Sequence, residues 1–180
     1  MIRLLDILVS FLSLILLSPL FILIFLTGFL DTGSPLFTQK RVGYNLKTFT
    51  LLKFRTMKIG TPSSGTHLID RSKVTYFGNF LRKFKLDELP QLLNVLIGDM
   101  SFVGPRPCLL NQTRLIIERK KKGVFKAKPG ITGLSQVSGI NMSTPKLLVK
   151  TDLIMIKQIN LFYYFYYIFK TFLLIFKKSN

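Results

Sequence analysis

Only eight side chains in this 180-residue chain carry a carboxylate: Asp6, Asp31, Asp70, Asp87, Glu88, Asp99, Glu118 and Asp152. Any chemistry that needs an oxygen nucleophile or a hard-metal ligand from an acidic side chain must draw on these few. Asp6 and Asp31 flank a long apolar run, and Asp70 sits in a polar loop. Glu118 lies beside Arg119 and Lys120 to Lys122, the composition of a solvated helix face. Asp152 lies among apolar residues and survives this elimination. The adjacent pair Asp87-Glu88 remains, with Asp99 a turn beyond the helix that opens there. Asp87 has two readings. It can be the helix N-cap, accepting from unpaired backbone N–H groups at the positive end, or it can do chemistry. The local pattern does not choose between them.

The cations supply context. Lys53, Arg55, Arg82, Lys83, Lys85 and Arg106 lie close in sequence to the pair or to the proline-rich loop Val103-Gly-Pro-Arg-Pro107. Six cations around two acids repel one another unless something anionic completes the site. A nucleotide diphosphate and a lipid phosphate would do so, with arginine offering forked contacts to phosphate oxygens. Mg²⁺ held by a carboxylate and substrate phosphates fits the same site, because Mg²⁺ needs few protein ligands. No Walker A loop, spaced GxGxxG or Gly-x-Ser-x-Gly elbow occurs, which argues against an ordinary kinase, dehydrogenase or esterase. The lone Cys108 excludes an internal disulfide framework and a cysteine-rich zinc site, and the lone His67 reads as a loop histidine.

Composition points to a membrane. The chain has 26 Lys and Arg against 8 Asp and Glu, a net charge of +18, yet is 48% hydrophobic. A nucleic-acid binder can be this basic but is rarely this apolar, so no nucleic-acid partner is expected. Anionic headgroups attract such a surface by about 1 kcal/mol per basic residue. A non-enzymatic basic protein docked on a lipid bilayer remains a rival on these grounds.

The elements that must position the pair begin with the anchor. Ile7 to Leu30 is almost wholly apolar, long enough as a straight helix to cross a bilayer at about 1.5 Å per residue. Ser18-Pro19 interrupts it: proline removes a helical hydrogen bond, and Ser18 can satisfy a carbonyl so released. A kinked span and a re-entrant hairpin both fit. Leu36-Phe37-Thr38-Gln39 and Thr48 to Leu52 read as short strands around Gly43-Tyr-Asn45, and Ile59 to Ser72 as a flexible loop. Helices are expected at Thr75–Lys83, from Asp87 to Gly98 with Pro90 in the first turn, at Leu109–Lys121, and from Thr144-Pro145 onward. Asp99 to Pro107 reads as an extended loop and Lys128 to Gly133 as a tight turn. Ile159 to Phe176, rich in Phe and Tyr with Lys170, Lys177 and Lys178 nearby, suits a helix lying in the membrane interface. Core packing is the alternative for it.

Taken in order, Lys53-Phe-Arg-Thr-Met57, Leu81-Arg-Lys83, Leu86-Asp-Glu-Leu-Pro-Gln-Leu92, Asn94-Val95, Gly98-Asp-Met-Ser101, Val103-Gly-Pro-Arg-Pro107 and Pro129-Gly-Ile-Thr-Gly133 closely resemble the bacterial sugar transferase family. These are the monotopic phosphoglycosyl transferases that begin glycan assembly on polyprenol phosphate. The resemblance runs from the Ser-Pro anchor to about Gly139. It implies a mainly α fold with short β segments: a re-entrant membrane helix hairpin and a small cytoplasmic catalytic domain with interfacial amphipathic helices. It favours the hairpin, broken at Ser18-Pro19; together with the composition of the C-terminal stretch, this divides the chain into anchor (1–31), catalytic domain (32–158) and an aromatic, basic interfacial helix (159–180). It places the protein at the bacterial inner membrane, facing the cytoplasm.

The implied reaction has two steps. Asp87 attacks the β-phosphate of a uridine diphosphate (UDP) sugar and releases uridine monophosphate (UMP). Polyprenol (undecaprenyl) phosphate then attacks the covalent sugar-phosphate enzyme. Mg²⁺ held at Asp87 and Glu88 neutralises the donor phosphates, and Glu88 assists the metal or the acceptor. Lys53, Arg82 and Arg106 match the positively charged phosphate-binding positions, and Arg55, Pro105 and Pro107 in the same motifs are expected to bind phosphate or substrate with them. Direct attack of the lipid on the donor, with Asp87 only holding metal, is the rival mechanism. Leu134-Ser-Gln136, the absence of tryptophan and Asp152-Leu-Ile-Met-Ile-Lys157 depart from the common family pattern. These departures bear on the donor sugar and on C-terminal membrane contacts. The sugar, the glycan pathway and the oligomeric state, a dimer among the options, are left open.

Overall fold

The computed structural model describes residues 1–62 and 70–177. His67, Lys178 and the middle of the expected Ile59–Ser72 loop lie outside the described residues.

Two 15-residue helices open the chain, α1 (Ile2–Leu16) and α2 (Ser18–Thr32), bent by 64° at the break between them. Proline has no N–H for the carbonyl one turn back, that of Ile15; Ser18 Oγ donates to this carbonyl instead, at 2.8 Å. At about 1.5 Å per residue each arm reaches roughly 22 Å, short of the roughly 30 Å hydrocarbon core. No single described helix is long and apolar enough to cross a membrane. The outer sides of the pair are apolar and exposed, as at Phe11, Leu12, Leu23 and Leu26.

The inner side of α1 is polar and specific. Asp6 is buried, and its carboxylate accepts from Ser101 Oγ (3.0 Å), Phe102 N (3.1 Å) and Tyr164 Oη (2.8 Å). An acid that the sequence places merely at the flank of the anchor therefore fastens the anchor to the rest of the chain. One turn earlier, the Arg3 guanidinium donates to the Val95 and Leu96 carbonyls. These are among the last carbonyls of a later helix, where backbone donors run out; Val95 O accepts in addition from Gly98 N at 3.1 Å.

After Gly33 the chain forms an antiparallel hairpin, β1 (Leu36–Val42) and β2 (Thr48–Phe54), whose other edge is completed by β4 (Cys108–Leu109). Helix α3 (Tyr76–Lys83) follows, capped by Thr75 Oγ1 accepting from Gly78 N at 2.9 Å. Next come a tight turn over Leu86–Glu88, helix α4 (Gln91–Ile97) and strand β3 (Ser101–Val103). Helix α5 (Thr113–Lys121) leads to β5 (Gly130–Thr132), which pairs parallel to β3, and to the short α6 (Leu134–Val137). Long helices α7 (Pro145–Gln158) and α8 (Leu161–Lys177) finish the described chain.

Three expectations are corrected here. Asp99–Pro107 and Lys128–Gly133 each contain a strand. Their pairing needs backbones in contact, which is why both carry glycine: a Cβ on Gly130 would lie 2.0 Å from Gly104 N. The helix expected from Leu109 begins at Thr113, because Leu109 is spent on pairing with Arg41 of β1.

The core is distributed in clusters. Ile24 of α2 packs with Phe54 and Leu81, so the second arm of the anchor rests on β2 and α3. Phe49, Leu51, Val95 and Met100 fill the space between β2 and α4. Val42, Cys108, Leu115, Val124, Leu148 and Val149 join β1 and β4 to α5 and α7. Helix α8 has two faces. Tyr164 and Tyr167 are buried, while Phe162, Phe165, Phe169 and Phe172 remain exposed.

Candidate active site

The site is assembled where β2, α3 and the turn before α4 meet. Strand β2 presents Lys53, whose Nζ lies 5.3 Å from the Phe37 ring centroid on the paired position of β1. Just beyond β2, the Thr56 carbonyl packs directly on Gly78, where a Cβ would sit 2.2 Å away. That close approach brings Arg82, one helical turn on, within reach of Thr56, and its Nε donates to Thr56 Oγ1 at 2.8 Å.

Lys85 then turns the chain back with φ 54°. Pro90 has no N–H for the Leu86 carbonyl, which accepts from Leu89 N instead at 3.2 Å. The backbone therefore stays tightly wound over Leu86–Glu88, and the α-helix proper begins at Gln91 rather than at Asp87. Asp87 is not the cap of α4; no described residue donates a hydrogen bond to its carboxylate. Helix α4 is pinned to β2 by Asn94, which accepts from Leu52 N (3.0 Å) and donates to the Thr50 carbonyl (2.8 Å).

Arg106 arrives from the other side, on the loop after β3, with its guanidinium 3.4 Å from Glu88 Oε1. Its backbone is held from behind. The Arg106 carbonyl accepts from Arg119 Nη1 at 2.7 Å, and Arg119 forms a buried ion pair with Asp152 at 2.7 Å. Ser135 Oγ donates to the second Asp152 oxygen at 2.7 Å. Asp152, left undecided by elimination, thus belongs to the support of the loop. Arg119 lies in the interior, although its basic neighbours suggest a solvated stretch. The Pro105 carbonyl accepts from Gly130 N (2.9 Å), and the Pro107 carbonyl accepts from Arg41 Nη1 (3.2 Å).

Of the expected site residues, Lys53, Arg82, Asp87, Glu88 and Arg106 converge, with Pro107 at the rim. Arg55 is directed elsewhere: it donates to the Ser34 carbonyl (2.7 Å), Ser34 Oγ and the Leu36 carbonyl, tying the chain leaving the anchor to the end of β2. Lys83 lies over the Phe84 ring. Asp99 sits past the opposite end of α4, where its charge acts on Lys128.

Two residues of the site escaped sequence reading. Arg41 and Gln91 line a small polar pocket together with Lys53, Glu88, Arg106 and Pro107. Arg41 does so because β1 runs to Val42, which puts Phe37, Gln39 and Arg41 opposite Lys53, Leu51 and Phe49. Period-two alternation along a longer strand would have placed Arg41 and Lys53 on one face.

Burial controls the electrostatics. It pushes the Asp87 carboxyl up to about 6, the adjacent Glu88 adds to this, and Lys53, Arg82 and Arg106 oppose it. Burial also lowers Lys53 and Arg82, both of which Asp87 partly holds up. Arg41 is lowered to about 10 by burial and then by the charge of Arg106. The result is a carboxylate that no described residue donates to, under the joint charge of Lys53, Arg82 and Arg106.

Among the described residues no group of three or more His, Cys, Asp or Glu side chains gathers to form a metal cage. Asp87 and Glu88 together suit an ion of the Mg²⁺ kind, which takes one or two carboxylates and completes its shell with water and substrate phosphates.

A carboxylate pair acted on by several partly buried cations, beside an apolar helix pair, has the charge to take an anionic ligand next to an apolar surface. The family model described as bacterial sugar transferase matches residues 1–178, and the chain belongs to that family. It is 41% identical over 154 residues to exopolysaccharide production protein ExoY of Sinorhizobium fredii, covering 76% of this chain and 68% of that one. It is 49% identical over 113 residues to the uncharacterized sugar transferase EpsL of Bacillus subtilis, covering 62% and 55%. It is 40% identical over 148 residues to the UDP-glucose:undecaprenyl-phosphate glucose-1-phosphate transferase of Escherichia coli, covering 79% and 32%. The chain thus spans about two thirds, about half and about a third of these relatives.

Proposed function

We propose that this protein is a phosphoglycosyl transferase that moves a sugar phosphate from a UDP-sugar to polyprenol phosphate through a covalent intermediate on Asp87. The observation that carries the reading is the state of Asp87: buried, adjacent to Glu88, without a hydrogen-bond donor among the described residues, and under the charges of Lys53, Arg82 and Arg106. A carboxylate whose lone pairs are not engaged is a competent nucleophile. One whose pKa lies near 6 is largely ionised at neutral pH. The relatives' names support the donor and acceptor classes.

In the first step an Asp87 oxygen bonds to the β-phosphorus and the bridging P–O bond breaks. The electron pair leaves with UMP, and no proton need move. Lys53, Arg82 and Arg106 balance the charge on the phosphoryl oxygens, and their partial burial strengthens that interaction. In the second step a lipid phosphate oxygen attacks the same phosphorus and Asp87 leaves as a carboxylate. Dividing the displacement in two lets one site serve a soluble donor and a membrane-bound acceptor in turn. Mg²⁺, held by Glu88 with Asp87 beside it, would neutralise donor phosphate charge. Glu88 also orients Arg106, to which it is already paired.

The helix pair α1–α2 serves this chemistry as a re-entrant hairpin in one leaflet, with the catalytic part on the cytoplasmic side of the bacterial inner membrane. The exposed phenylalanines of α8 lie in the same interface. The reading is supported by arms too short to span and by the polar clamp at Asp6, which holds the start of α1 beside β3. To test the activity, detergent-solubilised protein is incubated with a panel of UDP-sugars, Mg²⁺ and undecaprenyl phosphate. UMP and a polyprenyl diphosphate sugar should form in equal amounts with at least one donor. Release of free sugar phosphate, or of UDP, would contradict it.

A further inference from the structure

The cations around Asp87-Glu88 are not one group. The charge acting on Arg82 is that of Asp87, whereas those acting on Arg41 include Arg106 and Glu88. The pocket lined by Arg41, Lys53, Glu88, Gln91, Arg106 and Pro107 includes neither Asp87 nor Arg82. It lies beside the nucleophile, not around it. Its lining carries three cations against one carboxylate, so it has positive charge to spare. Arg41 Nε is buried and has no hydrogen-bond partner among the described residues, although Nη1 and Nη2 are used by the Pro107 carbonyl and Gln39 Oε1. A buried N–H without a protein acceptor is completed by solvent or by a ligand, and here the surplus of cations over carboxylates in the adjoining pocket favours an anion.

We infer that Arg41, with Arg106 and Gln91, holds the phosphate of the leaving nucleotide, the one next to the phosphorus that Asp87 attacks. This rests on the proposed function and deepens it. When the bridging bond to the β-phosphorus breaks, the bridging oxygen keeps the electron pair and the nucleotide departs as a phosphate monoester with one more negative charge. Arg41 and Arg106 meet that charge as it develops, so their contribution is larger in the transition state than with bound donor. Arg41 also braces the Pro107 carbonyl, which sets the loop that presents Arg106.

The test is UMP binding to the full chain in detergent, comparing wild type with Arg41→Gln and Arg41→Lys, and using uridine as a second probe. Loss of a charge-assisted contact to phosphate should weaken UMP by about tenfold or more in Arg41→Gln. Uridine and a short-chain polyprenyl phosphate should change by less than about twofold. General loosening of the loop would instead weaken UMP and uridine alike, and a folded Arg41→Gln protein with an unchanged ratio of UMP to uridine affinity would overturn the inference. Selective loss of polyprenyl phosphate binding would overturn it too, assigning the pocket to the acceptor. Should Arg41→Gln fail to fold, Arg41→Lys keeps the charge but loses the fork. At an unchanged unfolding midpoint it should still lower the UMP-to-uridine ratio several-fold, and an unchanged ratio contradicts the assignment. If wild type binds UMP through Arg41 yet forms no covalent adduct with any donor, the aspartyl scheme fails while the pocket assignment stands.

Discussion

Asp87 is a residue whose ionised form the fold disfavours. Its pKa is raised from the ordinary carboxylate value of 3.8 to about 6. A raised carboxyl contributes an energetic penalty when ionised: none below the unfolded pKa, growing between about 4 and 6, and complete above. Two pH units at roughly 1.4 kcal/mol each bound that penalty at roughly 3 kcal/mol. In metal-free, donor-free protein, Asp87→Asn should therefore be more stable than wild type at pH 7, with the difference shrinking towards pH 4. Denaturant unfolding at the two pH values measures this. An Asn variant that is less stable at pH 7 would contradict the electrostatic account. The rate of covalent adduct formation in wild type should fall as pH is lowered into the acid range, because the protonated carboxyl does not attack. At this scale the sequence was informative in proportion to scarcity. With eight acids, elimination narrows the field to Asp87-Glu88 with Asp99 and Asp152, and the nearby cations and the ordered motifs single out the pair. With 26 cations it had no such power, and Arg41 passed unnoticed until the extent of β1 set it on the face of Lys53. Asp6 was misplaced because a charge beside an apolar run normally marks the water boundary, and nothing local reveals that Ser101 and Tyr164 will meet it.

Elements reach the site through their supports. Arg106 stands on a loop whose carbonyl is held by Arg119, and Arg119 is held by Asp152 on α7. Breaking a buried pair by removing one charge leaves the other uncompensated, which costs about 3–5 kcal/mol. Asp152→Asn should lower stability by that order and raise the donor KM through a displaced Arg106. Substituting Glu118, next to Arg119 in sequence and outside the pair, should leave both nearly unchanged. Equal small effects at the two sites would contradict the role of the pair. Helices were the more legible elements, since Thr75, Pro145 and Gly98 mark ends by local chemistry. Strands β3 and β5 were not: each is three residues long, and their parallel pairing joins distant segments that look like a loop and a turn in isolation. Only the glycines at 104 and 130 carry a trace of that contact.

As a whole molecule, the protein joins an apolar helix pair to a basic body, and the joint is polar, buried at Asp6 and half-buried at Arg3. The bend was legible in Ser18-Pro19, and the serine-to-Ile15 hydrogen bond gives its physical basis. Whether the pair spans or returns was not legible, because hydropathy counts residues and not direction. Single cysteines placed at position 1 and at Gly33, in a Cys108→Ser background in intact vesicles, should both be labelled from the same face by a membrane-impermeant thiol reagent. Labelling from opposite faces would contradict the hairpin.

Covalent catalysis at Asp87 is open to a decisive test by intact-protein mass spectrometry. Wild-type protein is incubated with Mg²⁺ and a turned-over UDP-sugar but no lipid acceptor. The predicted result is a mass increase of one sugar phosphate, mapped to Asp87, with release of an equal amount of UMP and no adduct in Asp87→Asn. UMP release that occurs only when polyprenol phosphate is present, with no modified protein, would contradict it.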